Sequence, residues 1–221
     1  MITLCWAVKG GSGTTTVAAV IALGGTVPTL LVDLGGEAHL ALGTAAPHGP
    51  GVLDWVASEA PPEHLADLLV DVGRGVALLP QPSIEPAFRA LSTEGCTARW
   101  EALGAWLVAW SGSTGGHVVV DAGTGEPPPP LVECAANRLL VTRQCYLALQ
   151  RASGARSRPT GVVLVREPGR ALGAREISRS IGSPVVATVD IDPAVARALD
   201  SGLLTSRLPA AVRRQLHRAA A

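Results

Sequence analysis

The chain has 221 residues, 48% of them hydrophobic and 16% charged, with zero formal net charge, which is enough to bury a sizeable core and argues against a disordered chain. No apolar run reaches the ~18 residues of a membrane span and no signal peptide precedes the first apolar run. Cys5, Cys96, Cys134 and Cys145 show no C-x-x-C spacing, so the expectation is a cytoplasmic protein with reduced thiols and neither a disulfide nor a zinc framework.

The first element is an apolar run of strand type, Ile2 to Val8. Gly10, Gly11 and Gly13 follow, then Thr14, Thr15 and Thr16 lead into an apolar stretch to Leu23 that suits a buried helix. Strand, glycine loop, helix is the layout of a phosphate-binding loop. Glycines let the backbone approach an anion and turn its N–H groups toward it, and the helix N-terminus adds partial positive charge at the same place. Thr15 sits where a hydroxyl that ligates Mg²⁺ belongs. The position after Gly13, where such loops carry lysine, is Thr14; Lys9 stands instead at the front of the loop and is the chain's single lysine. A glycine turn that binds nothing is the competing interpretation.

Thr29 to Asp33 is a second strand ending in a carboxylate, and Val52 to Ala57 opens a short helix. Pro61-Pro62-Glu63 can begin another helix running to Leu69, and Val76 to Pro80 is a third strand. A helix over 97–110 places Trp100, Leu103, Leu107 and Trp110 on one side, with Trp106 beside them, as core or interface packing. His117 to Asp121 is a strand that again ends in Asp, followed by a stiff loop containing Pro127 to Pro130. Strands over 138–142, 161–165 and 185–189 alternate with helical segments near 131–137, 145–152, 173–181 and 193–200. That alternation predicts an α/β fold, a mostly parallel sheet with helices on both faces, in a single domain over 1–221. The tail 208–218 reads as a docked helix, with too few bulky aromatics to bind a membrane by itself.

Charge is unevenly spread. Residues 1–137 carry four cations against 13 acids, a net −9, and residues 138–221 carry 14 arginines against five acids, a net +9. Such asymmetry marks either a nucleic-acid or acidic-partner face, or two complementary faces of one domain. The five histidines have no mutual spacing for a metal, and no nucleophile motif is present.

Lys9-Gly10-Gly11-Ser12-Gly13-Thr14-Thr15-Thr16 resembles the K-G-G-x-G-K-[ST]-T loop of the ParA/MinD family of deviant-Walker-A P-loop ATPases. The resemblance runs nearly end to end. Val32-Asp33-Leu34-Gly35 is similar to the first switch, V-D-x-D, and Asp121-Ala122-Gly123-Thr124-Gly125 to the second, D-x-x-x-G. Val163-Leu164-Val165-Arg166 resembles a segment ending N-R, and Asp190-Ile191-Asp192-Pro193 the base-side loop. The resemblance implies a three-layer P-loop NTPase-like fold. It implies nucleotide contacts from Lys9, Gly10, Gly11, Ser12, Gly13, Thr14, Thr15, Thr16, Gly125 and Arg166, with Lys9 as signature lysine and Gly125 offering its N–H to a γ-phosphate. Thr15, Asp33 and Asp121 would hold Mg²⁺, with Asp33 in the first switch. Three family positions are altered. Thr14 replaces a lysine, Gly35 replaces the carboxylate that positions the attacking water, and Val165 replaces the Asn that reads adenine. The pattern is similar to divergent bacterial members near the TadZ/CpaE branch, which place partners rather than turn over quickly, and the arginine-rich, Ala-, Gly- and Pro-rich composition fits a GC-rich bacterial genome.

The expectation is therefore an ATP- or ADP- and Mg²⁺-binding switch or positioning protein, homodimeric, with slow or absent hydrolysis. Its partner would be a protein or non-specific DNA, bound through Arg151, Arg156, Arg158, Arg213, Arg214 and Arg218. A nucleotide-free pseudo-ATPase scaffold, and an active enzyme such as an amide-bond ligase or a slow DNA-binding ATPase, are the alternatives.

Overall fold

The computed structural model describes residues 1–82 and 96–219, and among these eight strands form one sheet. The strands are β1 (Ile2–Ala7), β2 (Thr29–Asp33), β3 (Val70–Asp71), β4 (Val76–Leu79), β5 (His117–Thr124), β6 (Asn137–Arg143), β7 (Gly161–Arg166) and β8 (Val185–Asp190). Their order is β3-β4-β2-β5-β1-β6-β7-β8, parallel throughout except for β3 at the edge. The helices are α1 (Thr14–Gly24), α2 (Ala38–Leu42), α3 (Val52–Val56), α4 (Thr97–Thr114), α5 (Pro129–Cys134), α6 (Tyr146–Ser153), α7 (Ala174–Ile181), α8 (Pro193–Asp200) and α9 (Ala210–Leu216).

β1, β2 and most of β5 are buried on both faces, which is why they read as continuous apolar runs rather than alternating ones. One face of the sheet packs α1, α2, α8 and α9 through residues such as Val17, Ile21, Leu42, Val195, Val212 and Leu216. The other packs α3 to α7 through Trp55, Trp100, Leu103, Leu131, Leu149 and Ile177. α1 is buried from Val17 to Leu23, so its sequence is apolar all round.

The strands lie within a few residues of their predicted bounds. Three elements differ. The helix expected near 131–137 is Pro129–Cys134, because Pro sits at its first turn and Asn137 already belongs to β6. The segment after Pro61 is a 3₁₀ helix, Pro62–Leu68, and its first-turn prolines suit either helix type. The two-residue β3 had no sequence signal of its own. In α4, Trp100, Leu103 and Leu107 are buried as expected, with Trp106 and Trp110 half-buried against the same core.

A seam joins α2 to the segment after α8. A Cβ on Gly43 would run into the Gly202 carbonyl, and the Thr205 hydroxyl donates to Leu42 O at 2.6 Å across 163 residues. No described helix is long and apolar enough to cross a membrane.

Candidate functional site

The loop between β1 and α1 takes its form from two left-handed glycines, Gly11 at φ 75° and Gly13 at φ 88°. An L side chain at either would be strained. The Ser12 hydroxyl donates to Lys9 O at 2.7 Å and closes the loop on itself. Gly13 is the N-cap of α1 and has no side chain to cap it, and the first turn carries no acid. The first N–H groups of an 11-residue helix are thus left for an anion. Thr14 is buried, Thr15 half-buried, and Thr16 lines a neighbouring cleft. Lys9 is half-buried and forms no ion pair among the described residues.

Two carboxylates stand beside the loop because β2 and β5 pair in register, Asp33 opposite Asp121. Both side chains are fully buried. Asp121 Oδ1 accepts the Gly123 N–H at 3.0 Å, while its Oδ2 is buried with no hydrogen bond to complete it. Burial pushes Asp121 up to about 6, against the Thr15 hydroxyl and the Gly123 N–H, which hold it down. Asp33 is pushed up to about 7, first by burial and then by the Asp121 charge. A buried carboxylate oxygen without a donor beside a threonine hydroxyl fits a hard cation. No three His, Cys, Asp or Glu side chains converge as a self-sufficient metal site among the described residues, so Mg²⁺ would take its other ligands from phosphate and water. Asp33 is differently engaged: its oxygens accept N–H groups from Gly35 (3.1 Å), Gly36 (2.7 Å) and Ala38 (2.9 Å) and shape the loop into α2.

That loop meets the end of β5 backbone to backbone. A Cβ on Gly35 would lie 3.6 Å from Gly123 Cα and 3.7 Å from both Asp121 Oδ2 and Asp33 Oδ1. The Gly125 N–H donates to Ala7 O at 2.8 Å. Arg166, on the far rim, pairs with Asp190 at 2.5 Å.

Two neighbours of the site went unnoticed in the sequence. Glu37, an exposed residue at the N-cap of α2, stands close enough to raise Asp121 further; it is the next acid after the position Gly35 leaves blank. Cys145 is the N-cap of α6, and the N–H groups of Ala148 and Leu147, with Lys9 and Arg170, hold its thiol below the ordinary range. Burial pushes Cys5 well up, and Cys134 also up. Iodoacetamide at pH 7 should therefore label Cys145 well before Cys5 and Cys134, and Lys9→Ala should slow it; timed mass mapping checks both.

The arginines singled out by sequence divide between the two layers. Arg151, Arg156 and Arg158 lie on and after α6, whereas Arg213 and Arg214 lie on α9 across the sheet. The Arg218 side chain is outside what the structure describes. The recorded ion pairs, Arg143–Glu167, Arg166–Asp190 and Arg170–Glu167, all fall within the basic half, so among the described residues none joins it to the acidic half.

No family model and no curated protein matches the chain. Solved structures do. A ParA family ATPase from Chlorobium tepidum is 20% identical, with 99% of this chain and 97% of that one covered and a TM-score of 0.73. The MinC:MinD cell division protein complex of Aquifex aeolicus gives 18% identity, 99% and 93% coverage and a TM-score of 0.74. The septum site-determining protein MinD of Pyrococcus horikoshii, complexed with Mg-ADP, gives 16%, 100% and 95%, and 0.71. The glycine loop, the paired strand-end carboxylates and this end-to-end agreement show one thing together: the chain has the single-domain α/β fold of the ParA/MinD ATPases.

Proposed function

We propose that this protein is a nucleotide-binding switch or positioning protein of the ParA/MinD type, which takes ATP or ADP with Mg²⁺ on the loop 9–16, hydrolyses it slowly or not at all, and acts as a homodimer on a partner. The observation that carries this is the uncapped, glycine-shaped N-terminus of α1 beside the uncompleted Oδ2 of Asp121. The loop N–H groups and Lys9 would hold phosphates, and Thr15 and Asp121 would hold the cation, with Asp33 keeping the adjoining loop in place. Bound Mg²⁺ would neutralise phosphate charge. The altered positions Thr14 and Gly35 support slow turnover, since phosphoryl transfer depends on positioned charge.

Calorimetric titration with ATP and ADP, with and without Mg²⁺, tests the proposal. Heat of binding that depends on Mg²⁺ is expected, and no binding of either nucleotide leaves the empty-loop scaffold. Lys9→Ala should weaken nucleotide affinity or nucleotide-dependent dimerisation by about tenfold, read by titration and light scattering. Unchanged affinity together with unchanged association would remove Lys9 from the site.

The partner remains of two kinds, a protein or non-specific DNA. Arg151, Arg156 and Arg158 on one layer and Arg213 and Arg214 on the other would give separate phosphate-binding patches. Binding to random duplex should then fall steeply between ~50 and ~200 mM salt. Anisotropy that stays flat at the lower salt, with nucleotide present, leaves a protein partner.

A further inference from the structure

A cavity of about 660 Å³ opens at the end of the sheet away from the glycine loop, a volume within the ~300–1,000 Å³ of whole small-ligand sites. His117, the first residue of β5, and Gly24, the last of α1, line it. The 11 residues of α1 therefore lie between it and the loop, about 16 Å at 1.5 Å per residue.

Its interior is apolar and its mouth is basic. Val20, Ile21 and Leu216 line it as buried side chains, and Arg213 and Arg214 of α9 line it as exposed ones. The bare Gly24 leaves room for the Arg213 stem, since a Cβ there would stand 3.4 Å from Arg213 Cγ. Neither guanidinium is in an ion pair among the described residues, and no described acid lines the cavity. At the floor, buried His117 bonds through Nε2 to the Thr3 hydroxyl at 2.9 Å. Burial, and then the Met1 ammonium, push His117 down to about 4, so at neutral pH the imidazole is uncharged. The Met1 ammonium is itself held by Ser111 Oγ and Gly116 O, at 2.5 and 3.2 Å. Arg213 and Arg214 are left to meet an anion.

We propose that this cavity binds a small amphipathic carboxylate, with its apolar body against Val20, Ile21 and Leu216 and its carboxylate on Arg213 and Arg214. The planar guanidinium fork matches a carboxylate, and each methylene buried against the apolar walls adds favourable transfer energy. A head without a body, or a body without a head, uses only half of the site. The proposal does not rest on the nucleotide reading, because the two sites lie at opposite ends of α1.

Calorimetric titration of the full chain with octanoate, 1-octanol and acetate, joined to amide hydrogen exchange, tests it. Octanoate should saturate with a dissociation constant of about 1 mM or tighter, and octanol and acetate should bind at least tenfold more weakly. Octanoate should slow exchange in α9 and in the last turn of α1. Arg213→Gln combined with Arg214→Gln should weaken octanoate at least tenfold while moving the thermal midpoint by no more than about 2 °C, since both side chains are exposed. Saturating Mg-ATP should leave octanoate affinity within about twofold. No saturable octanoate binding, octanol as tight as octanoate, or unchanged octanoate affinity in the double variant overturns the proposal. So does displacement of octanoate by Mg-ATP, which would place it at the glycine loop.

Discussion

Asp121→Asn should stabilise the ligand-free protein at pH 8 and remove most of its stabilisation by Mg²⁺-nucleotide. Asp121 is pushed up to about 6 and Asp33 to about 7, both from an ordinary 3.8. The native state therefore keeps protons that the unfolded chain releases, so stability falls as pH rises from about 4 through 7. Well below pH 3.8 both states are protonated and the pair costs nothing; above pH 7 the full cost of two buried charges remains. Replacing Asp121 by a neutral amide should return about 1–3 kcal/mol at pH 8 and only a small part of that at pH 4. Urea midpoints at pH 4, 6 and 8 in EDTA, then in Mg-ATP, measure both halves. A wild-type midpoint that does not move with pH would show that the two carboxylates are not a strained pair.

Phosphate release from saturating Mg-ATP should run at least a hundredfold below the ~1 s⁻¹ floor of ordinary kinases. The loop supplies a neutral Thr14 and the neighbouring turn supplies Gly35, so neither places charge or a base on the reacting phosphate. Gly35→Asp by itself should not restore turnover. Its Cβ would stand 3.7 Å from an oxygen of each existing carboxylate and against Gly123 Cα. A third carboxylate there repels the other two, so the variant should lose thermal stability in EDTA and regain part of it with Mg²⁺. Stopped-time phosphate assays and thermal melts read the two effects. Wild-type turnover near 1 s⁻¹, or full activity in Gly35→Asp, would reject this account.

The central sheet was legible because β1, β2, β5, β6 and β7 are apolar runs covered on both sides, and such runs have clear ends. The glycine loop was legible for a local reason as well: Gly11 and Gly13 take a left-handed backbone geometry that the sequence advertises. What was hidden depends on contacts between distant segments. Nothing near Gly125 shows that its N–H bonds to Ala7, since that bond forms only when β5 extends beside β1. Glu37 gains its place near Asp121 from the turn that Asp33 ties together. The split of the arginines across two layers follows from the sheet passing between α6 and α9, which composition cannot express.

The seam between Gly43 and Gly202 bears on when the molecule becomes whole. Its Thr205-to-Leu42 bond spans 163 residues, and contacts of such separation carry the largest loop-closure cost and form late. During synthesis at ~5–20 residues per second, α2 waits roughly 10 s or more for the segment that clamps it. Until then the turn held by Asp33 has its near anchor and lacks its far one. A nascent chain can thus own a formed glycine loop while the adjoining turn is still unpinned, and nucleotide offered to stalled ribosome-bound chains would report how much of the site is ready before the last quarter of the polypeptide emerges.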